Sequence, residues 1–154
     1  MDNLLNLRAS AAEATVKEFD QRPFVWGETD CAMVVLQHFK NLGHETRFLR
    51  GVTPWSTEKG ALRALLALGV RDLATAMDNT GFERIAPTRL LNGDVVGLPG
   101  EDPWTIALGV YVGNQRALSP ALGFMMVGNL PMEWTKPEGE KVPTLAWRVD
   151  PCLK

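Results

Sequence analysis

The hydrophobic periodicity of the chain changes near Gly81, and this change restricts the possible folds more than any other feature. Before Gly81, apolar residues recur at helical spacing. After it, short apolar runs of strand length are separated by Gly, Pro and Asn. Chains in which helices precede strands in this way fold as α+β proteins. The sequence therefore predicts an α+β fold in which helices pack on a mainly antiparallel sheet.

Capping and stop residues indicate where each element begins and ends. The predicted helices are residues 4–19 closed by Pro23, a helix after the N-cap Asp30 that stops at Gly43, a helix after Ser56 or Thr57 that stops at Gly69, and a short turn at 73–77. The predicted strands are 94–98, 106–112, 116–118, 124–127 and 145–149. Cys31 is expected in the first turn of the second helix.

The composition of the chain limits the kinds of function that it can have. A chain of 154 residues that is 45% hydrophobic can bury one core, so residues 1–154 are expected to form a single domain. Sixteen basic and 18 acidic residues are interspersed, which argues against nucleic acid as a partner. We expect no membrane span and no secretion signal, because long apolar stretches are missing. Cys31 and Cys152 are interpreted as free thiols, and without a Cys/His cluster no metal or cofactor is expected.

The most informative motif is the run at 22–33, Arg-Pro-Phe-Val-Trp-Gly-Glu-Thr-Asp-Cys-Ala-Met, which places Cys31 at a helix start. Helix N-terminal amides favour a thiolate, so Cys31 could be an activated nucleophile. The neighbouring Asp30 carboxylate acts in the opposite direction. A small apolar residue packed at a helix start is an equally good interpretation of Cys31.

Three ordered segments resemble the NlpC-like cell-wall peptidases: residues 23–32 with Asp-Cys-Ala at their end, Gly-Asp-Val-Val at 93–96, and Leu-Gly-Val-Tyr-Val-Gly at 108–113. The chain is most similar to small members of that family encoded among phage and prophage tail genes. The resemblance implies a papain-like fold. In such cysteine hydrolases the thiol attacks an amide, a histidine on the neighbouring strand takes its proton, and a third polar residue orients the histidine.

On this pattern the histidine position falls on Ala107 and the orienting position on Ser119, so Cys31 alone is retained. His38 lies seven residues after Cys31 on the same helix, about 10.5 Å along its axis, and His44 lies beyond Gly43. Neither is expected to act as a base. His38 is interpreted as a partly buried helix residue with a local hydrogen bond, and His44 as a solvated loop residue.

The leading hypothesis is a structural or assembly protein of a phage tail tip with a degenerate peptidase site. It would contact other tail-tip or hub proteins and reside in the virion after assembly in the host cytoplasm. The alternative is an active cysteine hydrolase that cuts peptidoglycan peptides during DNA entry. A cysteine acyltransferase, or a peptide-binding module using the old cleft, is a third possibility. Asp94 is expected to fix the turn that enters its strand, and the loop at 97–104 could border a groove.

Overall fold

A computed structural model describes residues 3–44 and 54–152. The prediction of a single domain over residues 1–154 also includes residues outside these two ranges. The helices are α1 (Leu4–Phe19), α2 (Cys31–Asn41), α3 (Glu58–Ala67) and α4 (Leu73–Asp78), with a 3₁₀ turn at Pro87–Arg89. The strands are β1 (Glu83–Ile85), β2 (Val95–Pro99), β3 (Ile106–Gly113), β4 (Arg116–Ala121), β5 (Phe124–Asn129), β6 (Glu133–Thr135), β7 (Lys141–Pro143) and β8 (Leu145–Arg148).

Six strands form one sheet in the order β1-β8-β2-β3-β4-β5, and β6 pairs with β7 in a separate hairpin. Every strand pair within residues 3–44 and 54–152 is antiparallel. Consecutive strands β2 to β5 are neighbours, whereas the C-terminal β8 inserts between β1 and β2. The α+β prediction with a mainly antiparallel sheet is therefore confirmed at this coarse level.

The predicted helices are all found, and Thr57 rather than Ser56 caps α3. The five predicted strands are also present, although β4 and β5 extend past the predicted ends to Ala121 and Asn129. Sequence analysis missed β1, β6 and β7. Each is three residues long, which is too short for an alternating apolar pattern to be recognisable.

The main core lies between the helices and one face of the sheet. It contains Val34, Val35 and Phe39 of α2, Leu108 and Val110 of β3, and the fully buried Trp147 of β8. A smaller core covers the opposite face, where Val96, Leu98 and Ala117 pack against Leu130 and the partly buried Trp134. Of the helices in the described ranges, none has the length and apolar character required to cross a membrane.

Buried polar groups join α1 to the sheet. Arg8 is 1% exposed and donates from Nη1 to Asp94 Oδ1 at 3.0 Å and from Nη2 to Asp150 Oδ1. Asp94 also accepts hydrogen bonds from the backbone N–H groups of Leu91 and Val149. The predicted structural role of Asp94 is confirmed, but its ion pairs with Arg8 and with Arg148 Nε at 3.0 Å were not predicted.

Candidate functional site

A cavity of about 540 Å³ opens at the N-terminal end of α2. Its walls come from the turn before α2, from α3, from the β2–β3 loop and from the β4–β5 hairpin. Five aromatic side chains line it: Phe24, Trp26, Trp55, Trp104 and Phe124. The predicted border at 97–104 is confirmed, because Pro99, Gly100 and Trp104 belong to this wall.

Cys31 is the first residue of α2 and lines the cavity. Burial raises the pKa of its thiol to about 11, a hydrogen bond from the Leu108 backbone lowers it in part, and the Asp30 carboxylate raises it further. At pH 7 the thiol is therefore almost entirely protonated. Desolvation thus outweighs the helix amides, which argues against activation of Cys31 by the helix N-terminus.

Asp30 connects the turn, the helix and the cavity wall. Its carboxylate caps α2 by accepting from Met33 N at 2.9 Å, and it also accepts from Gly27 N at 2.7 Å. The indole Nε1 of Trp55 donates to Asp30 Oδ2 at 2.6 Å. An N-cap thus holds a tryptophan from another segment in place, which makes Asp30 a positioning residue for the cavity.

Ala107, which the sequence resemblance predicts to occupy the histidine position, lines the same cavity as Cys31. Ser119 lies on the neighbouring strand β4 and is not a lining residue. The β3–β4 register pairs Val110 with Leu118, so Gly109 lies opposite Ser119, and a Cβ on Gly109 would be 3.1 Å from Ser119 Cβ. Because side chains alternate along a strand, Ala107 and Ser119 share the sheet face of Val96 and Leu98, which is opposite to the face that packs on α2. The alignment that assigns the histidine position to Ala107 therefore does not place this side chain toward the Cys31 sulfur.

Both histidines of the chain are engaged away from the cavity. His38 is fully buried: its Nε2–H donates to Gly93 O at 2.8 Å, and Nδ1 lies 2.7 Å from Thr15 Oγ1. This corrects the interpretation of His38 as partly buried with a local bond, because its partners lie on other segments. His44 lies in the loop after α2, as predicted; it is partly exposed, and its Nε2–H donates to Asp150 O at 2.7 Å.

Cys152 is a free thiol, as predicted, and Cys31 is free as well. Within residues 3–44 and 54–152, no group of three or more His, Cys, Asp or Glu side chains is placed to hold a metal ion.

Sequence reasoning did not find two features of the cavity. The first is the contact of Trp55 with Asp30, since no local pattern connects two residues that are 25 positions apart. Exposed carboxylates, Glu58 of α3 and Glu101 of the β2–β3 loop, also line the cavity. These residues meet only in the folded chain, so their sequence spacing carries no signal.

The comparisons with known proteins give one match. A family model described as a domain of unknown function, DUF6950, matches residues 6–134. No curated protein and no solved structure matches the chain. The matched range includes Cys31, Ala107 and Ser119 together with the strands that carry them.

Proposed function

We propose that this chain, which belongs to the DUF6950 family, is a structural or assembly component of a phage tail tip. In this proposal it has a papain-like, NlpC-type fold and has lost peptidase activity. The observation that carries the proposal is the composition of the cavity around Cys31. A protonated thiol stands where a cysteine peptidase needs a thiolate, and neither His38 nor His44 is among the described residues that line the cavity.

The arrangement of helix and strand supports the papain-like frame. Cys31 begins a helix that packs on an antiparallel sheet, and the Leu108 backbone hydrogen-bonds to its sulfur. Leu108 also packs in the main core with residues of α2, so β3 is the strand that lies beside the start of this helix. The resemblance in sequence to small phage and prophage tail proteins supports the tail location.

Loss of the proton acceptor also removes the acid that must protonate the leaving nitrogen. General acid–base catalysis typically contributes about 10²- to 10⁴-fold in rate. A largely protonated thiol lowers the rate further, because the thiolate is the nucleophile. Both effects support a structural or binding role in which the protein does not cleave amide bonds.

An assay with peptidoglycan sacculi tests whether the protein has lost peptidase activity. The wild type and Cys31→Ala are incubated with sacculi at neutral pH, and soluble fragments are identified by mass spectrometry. We expect the same background release from both proteins. Cleavage that depends on Cys31 would instead favour the alternative, an active hydrolase acting during DNA entry.

Restoring an imidazole tests the frame. In Ile106→His, whose side chain lines the cavity and lies on the sheet face that packs on α2, the new ring is expected to increase the alkylation rate of Cys31 at pH 7. Ala121→His, on the exposed hairpin of the same cavity, is the matched control and should have less effect. Equal rates in the two variants would contradict a papain-like arrangement of Cys31 and strand β3.

The tail role is tested on virions. The chain is expected in purified tails, and particles assembled without it should be defective in tail shape or infectivity. Normal, fully infectious particles produced without the chain would contradict a structural role.

A further inference from the structure

We propose that the cavity holds an extended segment of a partner protein in which an aliphatic side chain lies beside lysine or arginine. This inference rests on the proposed function, since it treats the cavity as a binding site that does not cut its occupant. Three independent features of the cavity carry it: the apolar wall, the charge of the lining residues and the exposed hairpin at its mouth.

The apolar wall is suited to aliphatic or aromatic side chains. A volume of about 540 Å³ falls within the usual range of ligand sites, about 300–1,000 Å³. Trp26 and Trp104 stack with ring centroids 5.6 Å apart, and Phe24 meets Trp26 edge-on at 4.9 Å. These ring contacts join the turn before α2 to the β2–β3 loop, so the wall is preformed.

The lining residues carry charge of one sign only. They include Asp30, Glu58 and Glu101 and, among the residues that the structure describes, no lysine or arginine. The Asp30 carboxylate is already occupied by three donors. Glu58 and Glu101 are exposed and have no ion-pair partner within the described part of the chain.

This charge selects the occupant. Unpaired carboxylates beside an apolar wall attract lysine and arginine and repel anionic groups. Aromatic rings add a favourable surface for the same cations. Peptidoglycan stem peptides and anionic lipid headgroups carry negative charge and therefore fit this cavity less well than a basic, apolar protein segment.

The β4–β5 hairpin extends the apolar surface outside the cavity. Leu122 is 93% exposed at its tip and Phe124 is 43% exposed beside it, and both line the mouth. Leu122 also has φ +54, a conformation that glycine and asparagine adopt more readily. An aliphatic side chain held in solvent at this point provides contact area for a segment that enters the cavity.

Three blocked peptides that differ only in charge test the proposal: acetyl-Lys-Leu-Leu-Lys-amide, acetyl-Gln-Leu-Leu-Gln-amide and acetyl-Glu-Leu-Leu-Glu-amide. Binding to the full chain is followed by tryptophan fluorescence and by amide chemical shifts, at peptide concentrations up to about 5 mM. We expect the lysine peptide to bind about tenfold more tightly than the glutamate peptide at low salt, and high salt to reduce this preference.

Matched variants separate charge from apolar contact. Glu58→Gln with Glu101→Gln should remove most of the preference for lysine. Glu83→Gln with Glu138→Gln changes the net charge equally at exposed positions that do not line the cavity, and should retain the preference. Asparagine adopts the positive φ of position 122 readily, so Leu122→Asn removes the apolar side chain without backbone strain. It should weaken the binding of all three peptides by a similar factor.

The outcomes distinguish this inference from the proposed function. If no peptide binds, or if the glutamate peptide binds as well as the lysine peptide, the inference is overturned. The proposed function is then unaffected, because the sacculus assay tests it separately. A dimer detected by sedimentation velocity that Leu122→Asn dissociates would also overturn it, since a second copy would then be the occupant. Cys31-dependent cleavage of sacculi would overturn the proposed function instead.

Discussion

At the scale of single residues, Cys31 shows how burial overrides a helix terminus. The N-terminal amides of a helix lower a thiol pKa, but the loss of solvent around Cys31 and the adjacent Asp30 carboxylate raise the value to about 11. The result is a thiol that packs against the core as a small apolar group and is also accessible from the cavity.

Alkylation of Cys31 should therefore be slow at neutral pH and accelerate as the pH rises toward 11. The measurement is the iodoacetamide reaction rate as a function of pH in Cys152→Ala, which retains Cys31 as its single cysteine. The reciprocal variant, Cys31→Ala, reports the behaviour of Cys152. A rate that reaches its plateau below pH 8 would contradict this interpretation of Cys31.

His38 should make the protein less stable in acid. Burial is the main cause that lowers its pKa from 6.5 to about 4, so the unfolded chain binds this proton more readily than the folded chain. The contribution is complete above pH 6.5 and is lost as the pH falls from 6.5 to 4. A shift of this size corresponds to about 3 kcal/mol.

Urea denaturation from pH 7 to pH 4 measures this effect. The wild type should lose about 3 kcal/mol more of its unfolding free energy than His38→Gln over that interval. Because the carboxylates are common to both proteins, the difference between the two curves isolates His38. Parallel curves would show that His38 titrates equally in the folded and unfolded states.

At the scale of secondary-structure elements, the turn before α2 depends on close backbone packing. Gly27 has φ +83, and a Cβ at this position would lie 1.9 Å from the carbonyl oxygen of Trp55. Gly27 also donates to Asp30, which in turn holds the Trp55 indole. The turn, the cap and the cavity wall therefore form one structural unit.

Gly27→Ala should destabilise the protein far more than Gly69→Ala. Both glycines have positive φ, but a Cβ on Gly69 would meet nothing within 4 Å. We expect about 1 kcal/mol for Gly69→Ala, from backbone strain alone, and at least about 3 kcal/mol for Gly27→Ala. Thermal and urea denaturation measure both, and equal losses would argue against the collision with Trp55.

Element boundaries were largely readable from the sequence because caps and stops act locally. Asp30, Thr57 and Asp72 each accept from a backbone N–H three residues later, and Gly43 and Gly69 follow their helices with positive φ. The buried face of α1 was less predictable. Leu4 and Leu5 are largely exposed, while Arg8 and Thr15 are buried with partners that lie far away in sequence.

At the scale of the whole molecule, the buried ion pair of Arg8 and Asp94 ties the first helix to the sheet. Asp94 is fully buried and accepts from Arg8, Arg148 and two backbone N–H groups. Removing one partner of such a pair leaves a buried charge without its counter-charge, which is costly even where the intact pair contributes little.

Arg8→Met should lower the free energy of unfolding by about 3–5 kcal/mol. Lys136→Met, which removes an exposed pair with Glu140, is the matched control and should change it by less than about 1 kcal/mol. Urea denaturation at pH 7 measures both variants. If Arg8→Met cost no more than Lys136→Met, Asp94 would be compensated by its remaining donors alone.

The amino-acid sequence and the tertiary structure report on interactions of different range. Periodicity and caps are properties of neighbouring residues, so the sequence by itself determined the helices, the longer strands, the α+β class and the position of Cys31 at a helix start. The cavity depends on residues far apart along the chain. Only the tertiary structure decided that Trp55 binds Asp30, that Glu58 and Glu101 line an aromatic wall, and that burial keeps the Cys31 thiol protonated, because desolvation and long-range contacts exist only once the chain has folded.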